Sequence, residues 1–184
     1  MKPFYTRSGD NGTTGLLGDQ RVEKSDLRIE VLGSLDELTA TLGFARSLCP
    51  ERINNDLKEI QIRVYEMMSE IAATPENAER FAKIKDQQVI ELEAMIDRYA
   101  EITELPKAFI LPGDCSASAA LSVARTVTRR AERRLVELSS SGKTVRGILM
   151  QYINRLSSLL YILEINIIKN HGDGTLSLVK EKDR

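Results

Sequence analysis

The sequence predicts an all-α protein, an antiparallel bundle of five helices behind a glycine-rich amino-terminal loop. Three features point there. Apolar residues recur at three- and four-residue spacing from position 34 to about position 170. Prolines and Gly/Ser clusters interrupt that spacing so that the segments between them have helical length. No run keeps the two-residue period of a half-buried strand, apart from a short IEVLG stretch at 29–33 that flows into the first helix.

The first helix is placed at 34–48. Ser34 followed by Glu37 reads as a capping box ahead of Leu35, Leu38, Leu42 and Ala45, and Pro50 ends it. The second, at 52–73, carries Ile53, Leu57, Ile60, Val64, Met67, Met68 and Ile71 and stops before Pro75. Residues 75–84 read as a short helical turn. The third, at 86–103, has Val89, Leu92, Ile96 and Tyr99 on one face, after which Pro106 and Pro112 bracket KAFIL as an apolar connection. The fourth runs from Ser116 to Leu138 with a face of small residues: Ala117, Ala120, Leu121, Ala124, Val127, Ala131 and Leu135. SSSGK at 139–143 is a helix–helix turn. The fifth, at 144–170, is the most apolar, and the polar stretch 171–184 is expected to be a flexible tail.

Composition removes several function classes. The 184 residues carry 26 Lys+Arg against 27 Asp+Glu, and 42% hydrophobic with 29% charged residues describes neither a disordered chain nor a membrane protein. The longest apolar stretch, around 156–168, is broken by Ser157, Ser158, Glu164 and Asn166, so no membrane span is expected. The first residues hold no apolar core of a secretory signal, and Cys49 and Cys115 stand outside any C-x-x-C. Reduced thiols in the cytoplasm are the simplest reading. A single histidine, His171, excludes a Glu-x-x-His di-iron bundle, a two-histidine zinc hydrolase and most catalytic triads. If the chain is an enzyme, something other than a histidine base does its chemistry.

The fourth helix holds the strongest chemical signal. Arg125, Arg129 and Arg133 are spaced i, i+4, i+8 and fall within roughly an 80° arc. Arg130 and Arg134 form a second column beside them. Residues 121–146 include seven basic and two acidic side chains, and Glu132 can pair with only some of the arginines. A solvated charged face is the plain alternative. However, three arginines stacked without carboxylates at i±4 repel one another unless an anion or another element's acids stand opposite, and guanidinium forks suit phosphates.

The loop Thr6-Arg7-Ser8-Gly9-Asp10-Asn11-Gly12-Thr13-Thr14 combines glycines, hydroxyls and a cation, a composition that forms turns and can also cradle phosphate oxygens. It lacks the Walker A pattern, and Lys24 lies well downstream. Together the two elements point to a polyphosphate ligand. Asn154, inside the most apolar helix, reads either as a satisfied core polar residue or as a ligand contact. Phe109, in the apolar loop FILPG, reads either as core or as the wall of a flat hydrophobic ligand. Asp36 and Glu37 suit a helix start, which accounts for Glu37 better than for Asp36.

Five segments in register, TRSGDNGTTGLLG, RIEVLGSLDEL (28–38), FILPG (109–113), ARTVTRRAERR (124–134) and YINRLS (152–157), resemble the ATP:corrinoid adenosyltransferases of the PduO type. This is also the family of the human mitochondrial enzyme of vitamin B12 metabolism, and the likeness spans about residues 4–170. The resemblance implies one helical domain over 1–184, with 1–33 as nucleotide-binding loop segment, assembled as a homotrimer with sites at subunit interfaces. It implies transfer of the 5′-deoxyadenosyl group of ATP to cob(I)alamin with release of triphosphate, Mg²⁺ riding on the phosphates. Thr6, Arg7, Ser8, Gly9, Thr14, Lys24, Arg129, Arg130, Glu132, Arg133 and Asn154 would hold ATP. Asp36 and Arg125 would pair across the interface on the corrinoid side, and Phe109 would press on the lower corrin face. Asp114 departs from the second glycine that many members show there, and Ser158 from an aspartate. An electron-donating reductase is an implied partner. The rival reading is a nucleic-acid-binding or partner-binding bundle using the basic face of the fourth helix; a net charge of −1 and the lack of aromatic stacking platforms weigh against nucleic acid.

Overall fold

The computed structural model describes residues 5, 7–171 and 174–179. Among these residues the elements are two short strands, β1 (Thr13–Gly15) and β2 (Arg21–Glu23), and six helices. Five helices are long: α1 (Leu27–Ser47), α2 (Glu51–Ala72), α4 (Asp86–Glu101), α5 (Ser116–Ser140) and α6 (Gly147–His171). The sixth, α3 (Ala78–Phe81), is a single turn continuing a 3₁₀ turn at Pro75–Asn77, where the sequence suggested a short helical turn.

α1 starts seven residues earlier than the periodicity suggested. Asp26 is its cap: the carboxylate accepts the Arg28 N–H at 2.8 Å and is held from the other side by Lys143 Nζ at 2.6 Å. The capping box at Ser34 and Glu37 is therefore not formed. Ser34 lies mid-helix with its hydroxyl donating back to Glu30 O, and Glu37 pairs with Arg130. IEVLG belongs to this helix, not to a strand. Val31 joins Leu35, Leu38, Leu42 and Ala45 on the buried face, which extends the stripe one turn toward the amino terminus. The sequence also missed the antiparallel β1–β2 pair, in which Thr14 faces Val22; three-residue strands carry too little alternation to read.

The long helices pack in the order α2–α1–α5–α6–α4. Neighbours run antiparallel for α1 and α2 (Gln61 donates to Thr39 O, and Asn54 to Arg46 O) and for α5 and α6 (Asn154 meets Glu132, and Arg125 meets Glu164). α4 closes back on α2 through Tyr99, whose hydroxyl donates to Asp56 at 2.6 Å. The small residues of α5 explain its place between α1 and α6: Ala117, Ala120, Ala124 and Ala131 are buried, and Thr128 satisfies its hydroxyl on Ala124 O. α6 is apolar nearly all round, as a helix packed on several sides must be. No helix among the described residues is long and apolar enough to cross a membrane.

Burial raises the Cys49 thiol to about 11, and nearby Cys115 adds to it; both thiols are free. The 171–184 stretch does not fray throughout. Ile110 and Leu178 form an antiparallel bridge, Leu111 N donates to Ser177 O, and Val179 N donates to Phe109 O. Asp114, the departure from glycine noted above, accepts the Ser177 N–H at 3.0 Å and so fastens this stretch to the loop before α5.

Lys143 holds the Asp26 carboxyl below the usual carboxylate range, chiefly through its hydrogen bond. A folded-state pKa below the unfolded one gives stability that is present at neutral pH and fades as pH falls through the depressed value. Asp26→Ala is expected to cost about 0.5–2 kcal/mol of unfolding free energy at pH 7. Denaturant titrations should show that gap closing below roughly pH 4; an equal gap in strong acid would contradict the pairing.

Candidate functional site

The five arginines of α5 separate according to what stands opposite each. Arg130 meets Glu37 of α1 in an ion pair, and Arg134 pairs with Glu137 on its own helix at 2.8 Å. Arg125 turns toward α6, where its Nε lies 3.5 Å from Glu164 and its Nη2 donates to Ser122 at 3.3 Å. Arg129 and Arg133 are exposed, and among the described residues they have neither hydrogen bond nor ion pair. The column that the sequence suggested was uncompensated thus has one internal counter-ion, Glu164, and two open guanidiniums.

Beside them stand Asn154 and Glu132. Asn154 is exposed, not a core residue, and its amide donates to Glu132 at 2.8 Å while its oxygen receives Arg155 Nη1 at 3.4 Å. Asn154, Ser157, Ser158 and Tyr161 follow i, i+3, i+4, i+7 spacing and share one face of α6. Across from it, Arg125, Arg129 and Glu132 share one face of α5. Between the two helices lies an open recess of about 320 Å³ lined by Leu105, Arg125, Arg129, Ser157, Ser158, Tyr161 and Ile162. A larger apolar recess, about 490 Å³, lies at the carboxyl end of α5, and the cations on its rim are engaged: Arg146 grips Glu70 with two bonds of 2.6 Å, Lys143 holds Asp26, and Arg28 donates to Ala73 O at 3.2 Å. At the smaller recess Arg129 has neither hydrogen bond nor ion pair among the described residues.

The amino-terminal loop is folded around Arg21, which the sequence reading passed over. Its guanidinium donates to Ser8 O at 2.6 Å and to the Thr13 hydroxyl at 2.9 Å. Asn11 caps Thr13, and Gly12 takes a left-handed φ of 85° to turn into β1. Lys24 Nζ lies above Gly9: a Cβ at that glycine would stand 3.4 Å from the ammonium and 3.3 Å from Thr13 O. Arg7 also adopts a left-handed φ, 58°, with its guanidinium over the Tyr5 ring. Thr14 is half-buried opposite Val22, and Thr6 lies outside the described residues. The loop is anchored at the end of α2, Leu17 pairing with Ala72 and Thr74. Among the described residues its hydrogen bonds do not reach Arg129 or Arg133.

Phe109 is 84% exposed, which settles against a core role in this chain; Leu111, Leu178 and Val179 beside it are also exposed. Asp36 is exposed and without a described partner, so within one chain Arg125 finds Glu164 and not Asp36. Glu164 was legible only as a break in an apolar run. Its significance needed the position of Arg125 on the facing helix. Burial raises its carboxyl pKa, and the positive charge of Arg125 opposes that shift. No group of three or more His, Cys, Asp or Glu stands together among the described residues.

The chain matches the family model described as cobalamin adenosyltransferase over residues 4–167. It is 44% identical over 162 residues to the corrinoid adenosyltransferase PduO of Salmonella typhimurium, covering 87% of this chain and 48% of that protein. It thus spans about half the length of the PduO relatives it matches. A corrinoid adenosyltransferase of Citrobacter freundii is 38% identical over 163 residues, with 88% of this chain and 92% of that protein covered. Among solved structures, a phenylalanine-to-alanine variant of a PduO-type ATP:corrinoid adenosyltransferase from Lactobacillus reuteri, complexed with cobalamin and ATP, superposes with a TM-score of 0.87. It is 33% identical, and the alignment covers 97% of this chain and 100% of that one. These relatives give the nucleic-acid and partner-binding alternative no support. By the matched span and by these identities, the chain belongs to the cobalamin adenosyltransferase family.

Proposed function

We propose that this protein transfers the 5′-deoxyadenosyl group of ATP to the Co(I) centre of a corrinoid, forming adenosylcobalamin and releasing inorganic triphosphate. The observation that carries the proposal is the pair of unpartnered guanidiniums, Arg129 and Arg133, beside the Asn154–Glu132 couple. Three of the five arginines on α5, Arg125, Arg130 and Arg134, face carboxylates, and among the described residues two are left open.

In the reaction the electron pair of Co(I) attacks C5′ of the ribose, the C5′–O bond breaks, and its electrons leave on the triphosphate; cobalt ends as Co(III) bonded to carbon. The corrinoid supplies the nucleophile, so no histidine base is called for. The protein aligns cobalt and C5′ and stabilises charge on the leaving oxygens. Arg129 and Arg133 serve the leaving group. Arg130, Lys24 and the loop residues Thr6, Arg7, Ser8, Gly9 and Thr14 complete the nucleotide site, with the Lys24 ammonium beside the Gly9 backbone as the loop's cation for the phosphates. Arg130 exchanges Glu37 for the nucleotide or keeps it as a tether. Mg²⁺ accompanies the triphosphate; it commonly binds through phosphates and one or two carboxylates, so it needs no cluster of acids, and Glu132 lies between the open arginines in the α5 sequence.

Phe109 is the corrin-facing residue. An exposed phenylalanine in an apolar loop can press on the lower face of a corrin, displace the axial ligand and raise the Co(II)/Co(I) potential into the range of a cellular reductant, which an electron-donating reductase would deliver. Asp36 and Arg125 lie on the corrinoid side of the site. Among the described residues the loop makes no hydrogen bond to the open arginines, and this supports a homotrimer in which neighbouring copies of a five-helix bundle complete each site. Exposed Phe44 on α1, with Val123 and Val136 on α5, offers apolar surface for such an interface. The cytoplasm, with its reductants and ATP, is the compartment this chemistry fits.

Anaerobic incubation with MgATP and Co(I) corrinoid should give the spectrum of an alkylcobalt product and free triphosphate; no product would overturn the proposal. Arg129→Ala or Arg133→Ala should lower turnover at least a hundredfold, the scale for one oriented transition-state donor. Their unfolding free energies should stay within about 0.5 kcal/mol of the parent. Phe109→Ala should bind ATP normally yet slow the reaction when it starts from Co(II); equal rates from Co(II) would remove the axial-ligand role. Sedimentation should return the mass of three chains, and an active monomer would contradict interfacial sites.

A further inference from the structure

We infer that Glu164 is the positioning residue for Arg125, holding the inner edge of its guanidinium so that the outer edge faces the recess between α5 and α6. The inference rests on the corrinoid reading above for its consequence in catalysis, but its geometry stands apart from that reading.

Glu164 lies on α6 with its side chain fully buried, whereas the Arg125 side chain is 25% exposed. The ion pair measures 3.5 Å, and among the described residues neither carboxylate oxygen of Glu164 nor Nε of Arg125 closes a hydrogen bond of good geometry, although the Ser122 hydroxyl also bears on the carboxylate. An acid placed in the most apolar helix of the protein, without a full set of partners, destabilises the fold relative to an apolar residue of similar volume. The charge that offsets this cost is the Arg125 guanidinium. Three contacts fix the Arg125 head: Glu164 on the Nε edge, Ser122 on Nη2, and the Tyr161 ring 5.9 Å below the guanidinium. What remains is the outer edge, toward the recess that Arg129, Ser157 and Ser158 also line. Without Glu164, Arg125 would keep a hydroxyl and a ring face, neither of which sets its direction, and the positive charge of Arg129 one turn away would push it outward.

The hold depends on Glu164 carrying its charge. Ser122 and Arg125 face it from α5, and Asp114 acts on it from the loop before α5. Tyr161 of its own helix lies under the Arg125 guanidinium, and the segment after α4 presents Thr103, whose hydroxyl accepts from Asn166. Burial, with Asp114 adding to it, favours the protonated acid, and Arg125 opposes. Falling pH therefore protonates Glu164 and frees Arg125, and rising pH restores the hold.

Two readouts on Glu164→Gln, which keeps the shape and removes the charge, test this. The first is the ¹⁵N resonance of Arg125 Nε, assigned by its loss in Arg125→Lys. In the parent it should be one sharp signal at neutral pH that broadens on acidification; in Glu164→Gln it should be broad throughout. The second is steady-state kinetics. Glu164→Gln should raise KM for the Co(I) corrinoid by about ten- to a hundredfold, as misorientation of a contact does. KM for ATP should change less than about twofold, and the acid limb of kcat/KM should disappear, while Glu164→Asp should recover that limb. An Arg125 signal unchanged by Glu164→Gln would overturn the inference whatever the enzyme does. Equal losses for ATP and corrinoid would also overturn it, since they mark general support of the bundle. A parent that is inactive but shows the resonance change would sink the adenosyl-transfer reading and leave the positioning intact.

Discussion

Five guanidiniums within ten residues of one helix set the terms for everything around them. Each must meet a carboxylate, reach water, or wait for an anion, and the neighbouring helices decide which. α1 presents Glu37 to Arg130, and α5 itself turns Glu137 toward Arg134. α6 buries Glu164 beneath Arg125. Arg129 and Arg133 are what this distribution leaves over, and they lie next to a polar couple, Asn154 with Glu132, that joins α5 to α6 at an exposed position. The small residues behind the arginines make the arrangement possible, because Ala120, Ala124 and Ala131 let both neighbours approach closely enough to place those acids.

Division of labour between loops and helices follows. The helices fix charge direction, which a packed rod does well. The glycine-rich loop, pinned by Arg21 and by its attachment at Leu17, offers backbone donors and Lys24. The loop before α5 offers an apolar face at Phe109, steadied by the paired stretch at 177–179 and by Asp114. In the proposed reaction these three parts serve the leaving group, the nucleotide and the corrin, with the nucleophile brought by the corrinoid itself.

Much of this was legible in the sequence. The apolar spacing located all five long helices, since α2, α4 and α5 each carry one dominant buried stripe over many turns and α6 is apolar over most of its length. It failed at the start of α1, because the first turns are capped by Asp26 with help from Lys143, a partner 117 positions away. Pattern reading chose the local Ser34–Glu37 signature over that remote one. Short strands escaped for a related reason: three residues hold no period. At the site, i, i+4 arithmetic found the arginine column but could not say which members were neutralised. That depends on residues such as Glu37 and Glu164, whose positions opposite Arg130 and Arg125 exist only after packing. The tail pairing at Leu178 was hidden likewise, Asp114 showing only as a departure from a motif.

The central claim is that Arg129 and Arg133 are left open for a triphosphate. A crystal structure of the protein with MgATP tests it most directly. The account requires phosphate oxygens within about 3 Å of guanidinium nitrogens of both residues, with the Gly9–Lys24 loop of the same or a neighbouring copy closing on the nucleotide. Nucleotide bound elsewhere, or both arginines turned onto the protein's own carboxylates with the recess vacant, would contradict it.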